Sequence, residues 1–148
     1  MNVEIRRILV PVDLSDASSK VAAYAVELSR RLGAELTALY VVEESDGILG
    51  FSVATADVEE SLEQLESEAE RELRAHANRY LAPGTRVRVC AGDPASKVLE
   101  TAREIGADLI VMGNHGRSGL ERMILGSTAE HVIRHADVPV VSVPLHDT

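Results

Sequence analysis

The residues best suited to chemistry lie between positions 113 and 128, where Gly113, Gly116 and Gly126 precede Ser127 and Thr128. Gly113 and Gly116 are separated by two residues, Gly116 and Gly126 by nine, and Arg117 and His115 stand within the same stretch. A polyphosphate carries several charges on closely spaced oxygens. It is held best by backbone N–H groups brought near it and by a helix N-terminus aimed at it. Glycine lets the main chain approach such a ligand, while Ser127 and Thr128 open the next helix with free amides and hydroxyl donors. Arg117 adds a mobile cation.

A purely structural reading also accounts for these glycines together with Gly119, Gly113 closing a strand, Gly116 and Gly119 making turns, and Gly126 starting a helix. The apolar run before them favours ligand binding, because it places the loop at a strand's carboxyl end, where open α/β sheets bind ligands. The segment is neither a Walker loop, G-x-x-x-x-G-K-[ST], nor the tight G-x-G-x-x-G dinucleotide turn. No nucleophile, base and orienting group occur together, and the loop offers no lysine to clamp a transferring phosphoryl group. His115 stays open between proton carrier, phosphate contact and bystander.

The elements that must position this loop alternate strand and helix. Strands are expected at Arg7 to Val12, Glu35 to Val42, Thr85 to Ala91, Leu109 to Met112 and Val138 to Val143. Most are apolar on both faces, as in a parallel sheet covered on each side. The third alternates Val87 and Val89 with Arg86 and Arg88, the pattern of an edge strand. Helices are expected from Asp16 to Leu32, Val58 to Leu81, Pro94 to Ile105 and Ser127 to His135. Ser15 or Asp16 caps the first, which carries Val21, Tyr24, Ala25, Leu28 and Leu32 on one face. Asp93 and Pro94 open the third, and Ala129, Val132 and Ile133 face inward on the fourth.

This alternation predicts a single-domain, open parallel five-stranded sheet, order 3-2-1-4-5, with helices on both faces and right-handed crossovers. Strands one and four then meet at the switch point, which brings Asp13 opposite Gly113. Asp13 is a candidate ligand group, or an ordinary turn cap. Residues 43 to 57 form a long polar connection that serves as a lid or as a spacer.

Beyond the physics, the spacing G-x2-G-x9-G-[ST] resembles the ATP-binding signature of the universal stress protein family. ILVPVD at Ile8 to Asp13, GDP at Gly92 to Pro94, ADLIVMGNHG at Ala107 to Gly116 and VPVVSV at Val138 to Val143 are similar to that family too. The resemblance implies ATP, with Mg²⁺, lying across the crevice. Pro11 and Val12 would line the adenine or ribose side, and Asp13 would accept from ribose hydroxyls or help hold the metal. Val41 would offer backbone groups to the adenine edge. Met112, Gly113, His115, Gly116 and Arg117 would border the phosphates, and Gly126, Ser127 and Thr128 would supply helix-start amides. It implies a stress-response regulator that pairs as a homodimer through Val138 to Val143, where Pro139 suits a sheet edge. A monomer with that edge covered by the tail from Leu145 is the alternative arrangement. The alternative activity is a slow ATPase or a nucleotidyl-transfer enzyme on the same fold.

Composition sets the outer bounds. The 148 residues carry a net charge of −9, which argues against general nucleic-acid binding. Eleven of the carboxylates fall between Glu43 and Glu72, most simply a solvated helix face. No apolar run approaches a membrane span, and no signal-peptide pattern opens the chain. A cytoplasmic location is expected. Cys90, the single cysteine, reads as a small buried apolar residue, and His76 and His135 as structural histidines.

Overall fold

The computed structural model describes residues 2–43, 55–114 and 125–145, with the side chains of 55–61 outside that description. Strands are β1 (Arg7–Pro11), β2 (Glu35–Val42), β3 (Arg86–Ala91), β4 (Leu109–Gly113) and β5 (Val140–Val143). Helices are α1 (Ser18–Leu32), α2 (Thr55–Tyr80), α3 (Pro94–Ile105) and α4 (Ser127–His135). All four strand pairings are parallel, in the expected order β3-β2-β1-β4-β5.

Strand alternation divides the core between the two sheet faces. Ile8, Val10, Leu36, Ala38 and Val111 pack with Val21, Ala22 and Ala25 of α1 and Leu73 and Ala77 of α2. Leu9, Leu39, Ile110 and Met112 point the other way, onto Val98, Leu99 and Ala102 of α3 and Ala129 and Val132 of α4. The central strands are therefore buried on both sides, which is why their sequences read as continuous apolar runs.

Local chemistry sets the helix ends. Asp93 caps α3, its carboxylate accepting from the N–H of Ser96 at 3.0 Å and the hydroxyl of Ser96 at 2.8 Å. These two bonds hold its carboxyl below the usual carboxylate range. Gly106 closes α3 in the left-handed region at φ 66°, the conformation a C-cap requires and L side chains avoid.

Three expectations need correction. Helix α1 begins at Ser18, not Asp16, because residues 15 to 18 form a preceding turn in which Ser15 O accepts from the N–H and hydroxyl of Ser18. Neither Ser15 nor Asp16 caps it by a side chain. The inward face of α1 is Ser18, Val21, Ala22 and Ala25, whereas Tyr24 and Leu32 remain 49% and 44% exposed. On α4, Ile133 is likewise 44% exposed, and only Ala129 and Val132 are buried.

Candidate functional site

The carboxyl ends of β1 and β4 part at the switch point and open a cavity of about 390 Å³ between α1, α3 and α4. Parallel connections cause this, since the chain leaves β1 towards one face and β4 towards the other. Of the residues singled out from sequence, Pro11, Val12, Asp13, Val41, Met112, Gly113, Gly126, Ser127 and Thr128 all line it. His115, Gly116 and Arg117 lie outside the described residues, as does most of the 43 to 57 connection.

Asp13 sits on a specialised turn. Val12 still donates to Leu39 O at 2.9 Å, continuing the ladder, and then Leu14 takes φ 63°, the only non-glycine residue in the left-handed region among those described. The Asp13 carboxylate fastens this turn through Oδ1, which accepts from the N–H of Ser15 at 3.0 Å and from its hydroxyl at 2.6 Å. The turn-cap role considered for Asp13 is thus present. Both bonds fall on one oxygen, and Asp13 still borders the cavity.

The start of α4 supplies the other wall. Gly126 is its N-cap, with extended backbone and no side-chain capping bond, so the first-turn amides have no partner from within the helix. The amide of Gly126 itself is spent on Asn114 O at 2.6 Å. Helix-start donors therefore begin at Ser127 rather than Gly126, a change from the sequence expectation.

Several lining residues were not singled out from sequence. Ser18 and Val21 come from α1, Pro94 and Val98 from α3, and Glu43 from the end of β2. Val98 lies with Leu99 and Ala102 on the inward face of α3, and helical spacing alone does not tell which crevice it reaches. Leu145 was considered only as part of a tail over the sheet edge. Instead it packs on Gly113, where an added Cβ would lie 2.6 Å from Leu145 Cδ1, and it forms part of the cavity wall. Glycine at 113 is what lets that side chain approach.

The lining is chemically divided. Val12, Val21, Val41, Val98 and Met112 give an apolar zone, while Asp13, Glu43, Ser127 and Thr128 bring polar groups to the rim. A flat apolar group with a polar, hydrogen-bonding extension suits such a lining. Among the described residues no three His, Cys, Asp or Glu side chains gather as a metal group. Cys90 is half-buried against the α3 side, and burial raises its thiol pKa, which fits a packing role.

A doubly wound parallel sheet with its cavity at the switch point defines a Rossmann-like α/β protein. Residues 4–144 match the model of the universal stress protein family, and the chain belongs to that family. It is 36% identical over 141 residues to universal stress protein MJ0531 of Methanocaldococcus jannaschii, covering 93% of this chain and 81% of that one. Among solved structures, universal stress protein UspA from Lactobacillus plantarum is 31% identical with a TM-score of 0.77, covering 96% and 99% of the two chains. The structure of MJ0577 superposes with a TM-score of 0.83 at 25% identity, over 99% of this chain and 100% of that one. Two more distant structures of the fold, at 23% and 20% identity, are universal stress proteins in complex with cAMP and with dAMP. The described residues contain no helix long and apolar enough to cross a membrane.

Proposed function

We propose that this universal stress protein binds ATP, with Mg²⁺, in the switch-point cavity and acts as a dimeric, nucleotide-dependent regulator in stress response. The carrying observation is the cavity itself, in which the ends of β1 and β4 face the uncapped start of α4 across one crevice. Val12, Val41, Val98 and Met112 provide apolar surfaces for a purine, and Ser127 and Thr128 provide donors for phosphate oxygens. His115, Gly116 and Arg117 join the phosphate side on this reading. Relatives of the same fold hold cAMP and dAMP, in keeping with an adenine ligand, although at their identities they speak for the fold.

Mg²⁺ keeps most of its waters and is bound through one or two carboxylates plus substrate phosphates. Asp13 and Glu43 are the carboxylates bordering the cavity, so the ion would arrive with the nucleotide. The dimer would form along β5, a sheet edge preceded by Pro139, and light scattering measures it directly.

Thermal unfolding of nucleotide-stripped protein with ATP and Mg²⁺ tests the reading. At a hundred times its dissociation constant a ligand stabilises the folded state by about 2.7 kcal/mol, a shift of several degrees for a domain of this size. The expected result is a shift with ATP and none with GTP. No shift at about millimolar ATP would overturn the assignment, and sustained phosphate release would move the protein to the enzymes.

A further inference from the structure

At the end of the sheet remote from the nucleotide cavity lies a broad basin of about 1050 Å³, bounded by the first residues of β1, β2 and β3 and the last turn of α3. Five arginines line it, Arg7, Arg74, Arg86, Arg88 and Arg103, against two carboxylates, Glu35 and Glu104. The whole chain has the reverse balance, 15 basic to 24 acidic residues. Cations are therefore concentrated here against the general charge.

The basin follows from strand register. Arg7 precedes the α3-side core residue Leu9 by two positions, and Glu35 and Thr37 precede Leu39 by four and two. In the β2–β3 pairing, Thr37 stands beside Arg86 and Leu39 beside Arg88. The face that is apolar under α3 thus continues past the helix's last residue, Ile105, as a charged floor.

Several of these groups are already held in place. Arg88 pairs with Glu104 at 2.7 Å, and Arg103 with Asp137 at 3.1 Å. Arg74 donates from Nη1 to Thr85 O at 3.0 Å, which fixes its guanidinium on the rim. Asp108 spends Oδ2 on the backbone N–H groups of Arg6 and Arg7, at 2.8 and 3.0 Å. Arg7 and Arg86 are exposed and have no ion-pair partner among the described residues. Mere solvation of an acidic protein gives no reason to gather them, because unpaired like charges repel.

We propose that this basin docks an acidic peptide segment of another protein, with carboxylates seated on Arg7 and Arg86. Guanidinium forks match carboxylates in bidentate geometry. A dense polyphosphate fits less well, since the negative C-terminal end of α3 and the two glutamates border the same floor. Spaced carboxylates can avoid those groups. The surface is remote from the nucleotide cavity, so its test is independent of ATP.

Fluorescence anisotropy of a labelled peptide of alternating Glu and Ser tests the docking at low salt. Wild type and Arg31→Glu, which makes the same charge change on the exposed face of α1, should bind alike. Arg86→Glu should bind about tenfold or more weakly, the scale of one lost charge-assisted contact, and Arg7→Ala should weaken binding in the same direction. No binding by wild type would overturn the proposal. So would equal losses in Arg86→Glu and Arg31→Glu, which would reveal only the general field. Displacement by inorganic tripolyphosphate more readily than by unlabelled peptide would make the basin a small-anion site and overturn it as well.

Discussion

Gly126 donates its backbone N–H to the carbonyl of Asn114 at 2.6 Å, joining the residues that flank segment 115–125. Asn114 also donates its own N–H to Val143 O at 3.0 Å, and its side-chain oxygen accepts weakly from Leu145 N at 3.4 Å. One asparagine therefore ties the exit of β4 to the start of α4 and to the chain beyond β5. The same asparagine holds the backbone of Leu145, whose side chain forms part of the cavity wall.

That wall predicts a non-additive pair. Gly113→Ala brings a Cβ to 2.6 Å from Leu145 Cδ1, so the half-buried leucine side chain must swing away from the cavity wall and loses that packing. Leu145→Ala alone removes apolar packing. In the double variant the clash is gone, and the combined loss should be smaller than the two single losses added. Urea denaturation of all four proteins measures the coupling, and strict additivity would remove the contact.

Asp13 combines a turn role with a proposed ligand role, and two substitutions separate them. Asp13→Asn retains an oxygen for Ser15, so stability should stay within about 0.5 kcal/mol of wild type. It loses the charge, so any gain in ATP affinity from Mg²⁺ should diminish. Asp13→Ala loses the turn as well and should cost about 0.5–2 kcal/mol, the range for lost capping bonds. Calorimetry with and without Mg²⁺ checks the first effect, and denaturation the second. An Asn variant with wild-type Mg²⁺ dependence would leave Asp13 a turn residue alone.

The sheet was legible because its physical signal is local. Runs such as Ile8 to Val10 must be buried on both faces, and alternating Arg86 to Val89 must lie at an edge, so order and crevice followed. Of the cavity's nine described candidates, Asp13 and Gly113 followed from the same topology, Gly126, Ser127 and Thr128 from the glycine pattern, and Pro11, Val12, Val41 and Met112 from the family resemblance. What was not legible depends on tertiary approach. The α1 stripe included the exposed Tyr24 and Leu32 and left out Ser18 and Ala22, because helical spacing cannot distinguish Ala22 packed on the sheet from Tyr24 beyond its reach. Leu145 was missed because nothing in its neighbours records that Gly113, thirty-two residues earlier, leaves room for it.

Helix packing gives a direct contrast between Leu73 of α2 and Tyr24 of α1, which helical spacing placed on an inward stripe. Leu73 is fully buried and Tyr24 is 49% exposed. Leu73→Ala should destabilise by about 2–5 kcal/mol, through lost burial and the cavity left behind. Tyr24→Ser should stay within about 0.5 kcal/mol. Chemical denaturation decides it, and comparable losses would mean that Tyr24 is covered in solution, as a dimer contact would require.

His76 should make the fold acid-sensitive. Its imidazole is buried on α2, its ring 4.9 Å from Tyr80, and Nε2 has no hydrogen-bond partner among the described residues. Burial lowers its pKa below the ordinary 6.5, and the negative charge of Asp13 only partly opposes this. The unfolded chain therefore takes up the proton more readily than the folded one. Stability is full above pH 6.5, begins to fall as pH drops through that value, and keeps falling until the lowered folded pKa is reached. His76→Leu removes the titrating group and an unsatisfied polar atom together. Its denaturation midpoints should be flatter than wild type across the acidic side of pH 6.5, and equal or higher at its lower end. Parallel profiles for the two proteins would assign the acid limb to other groups.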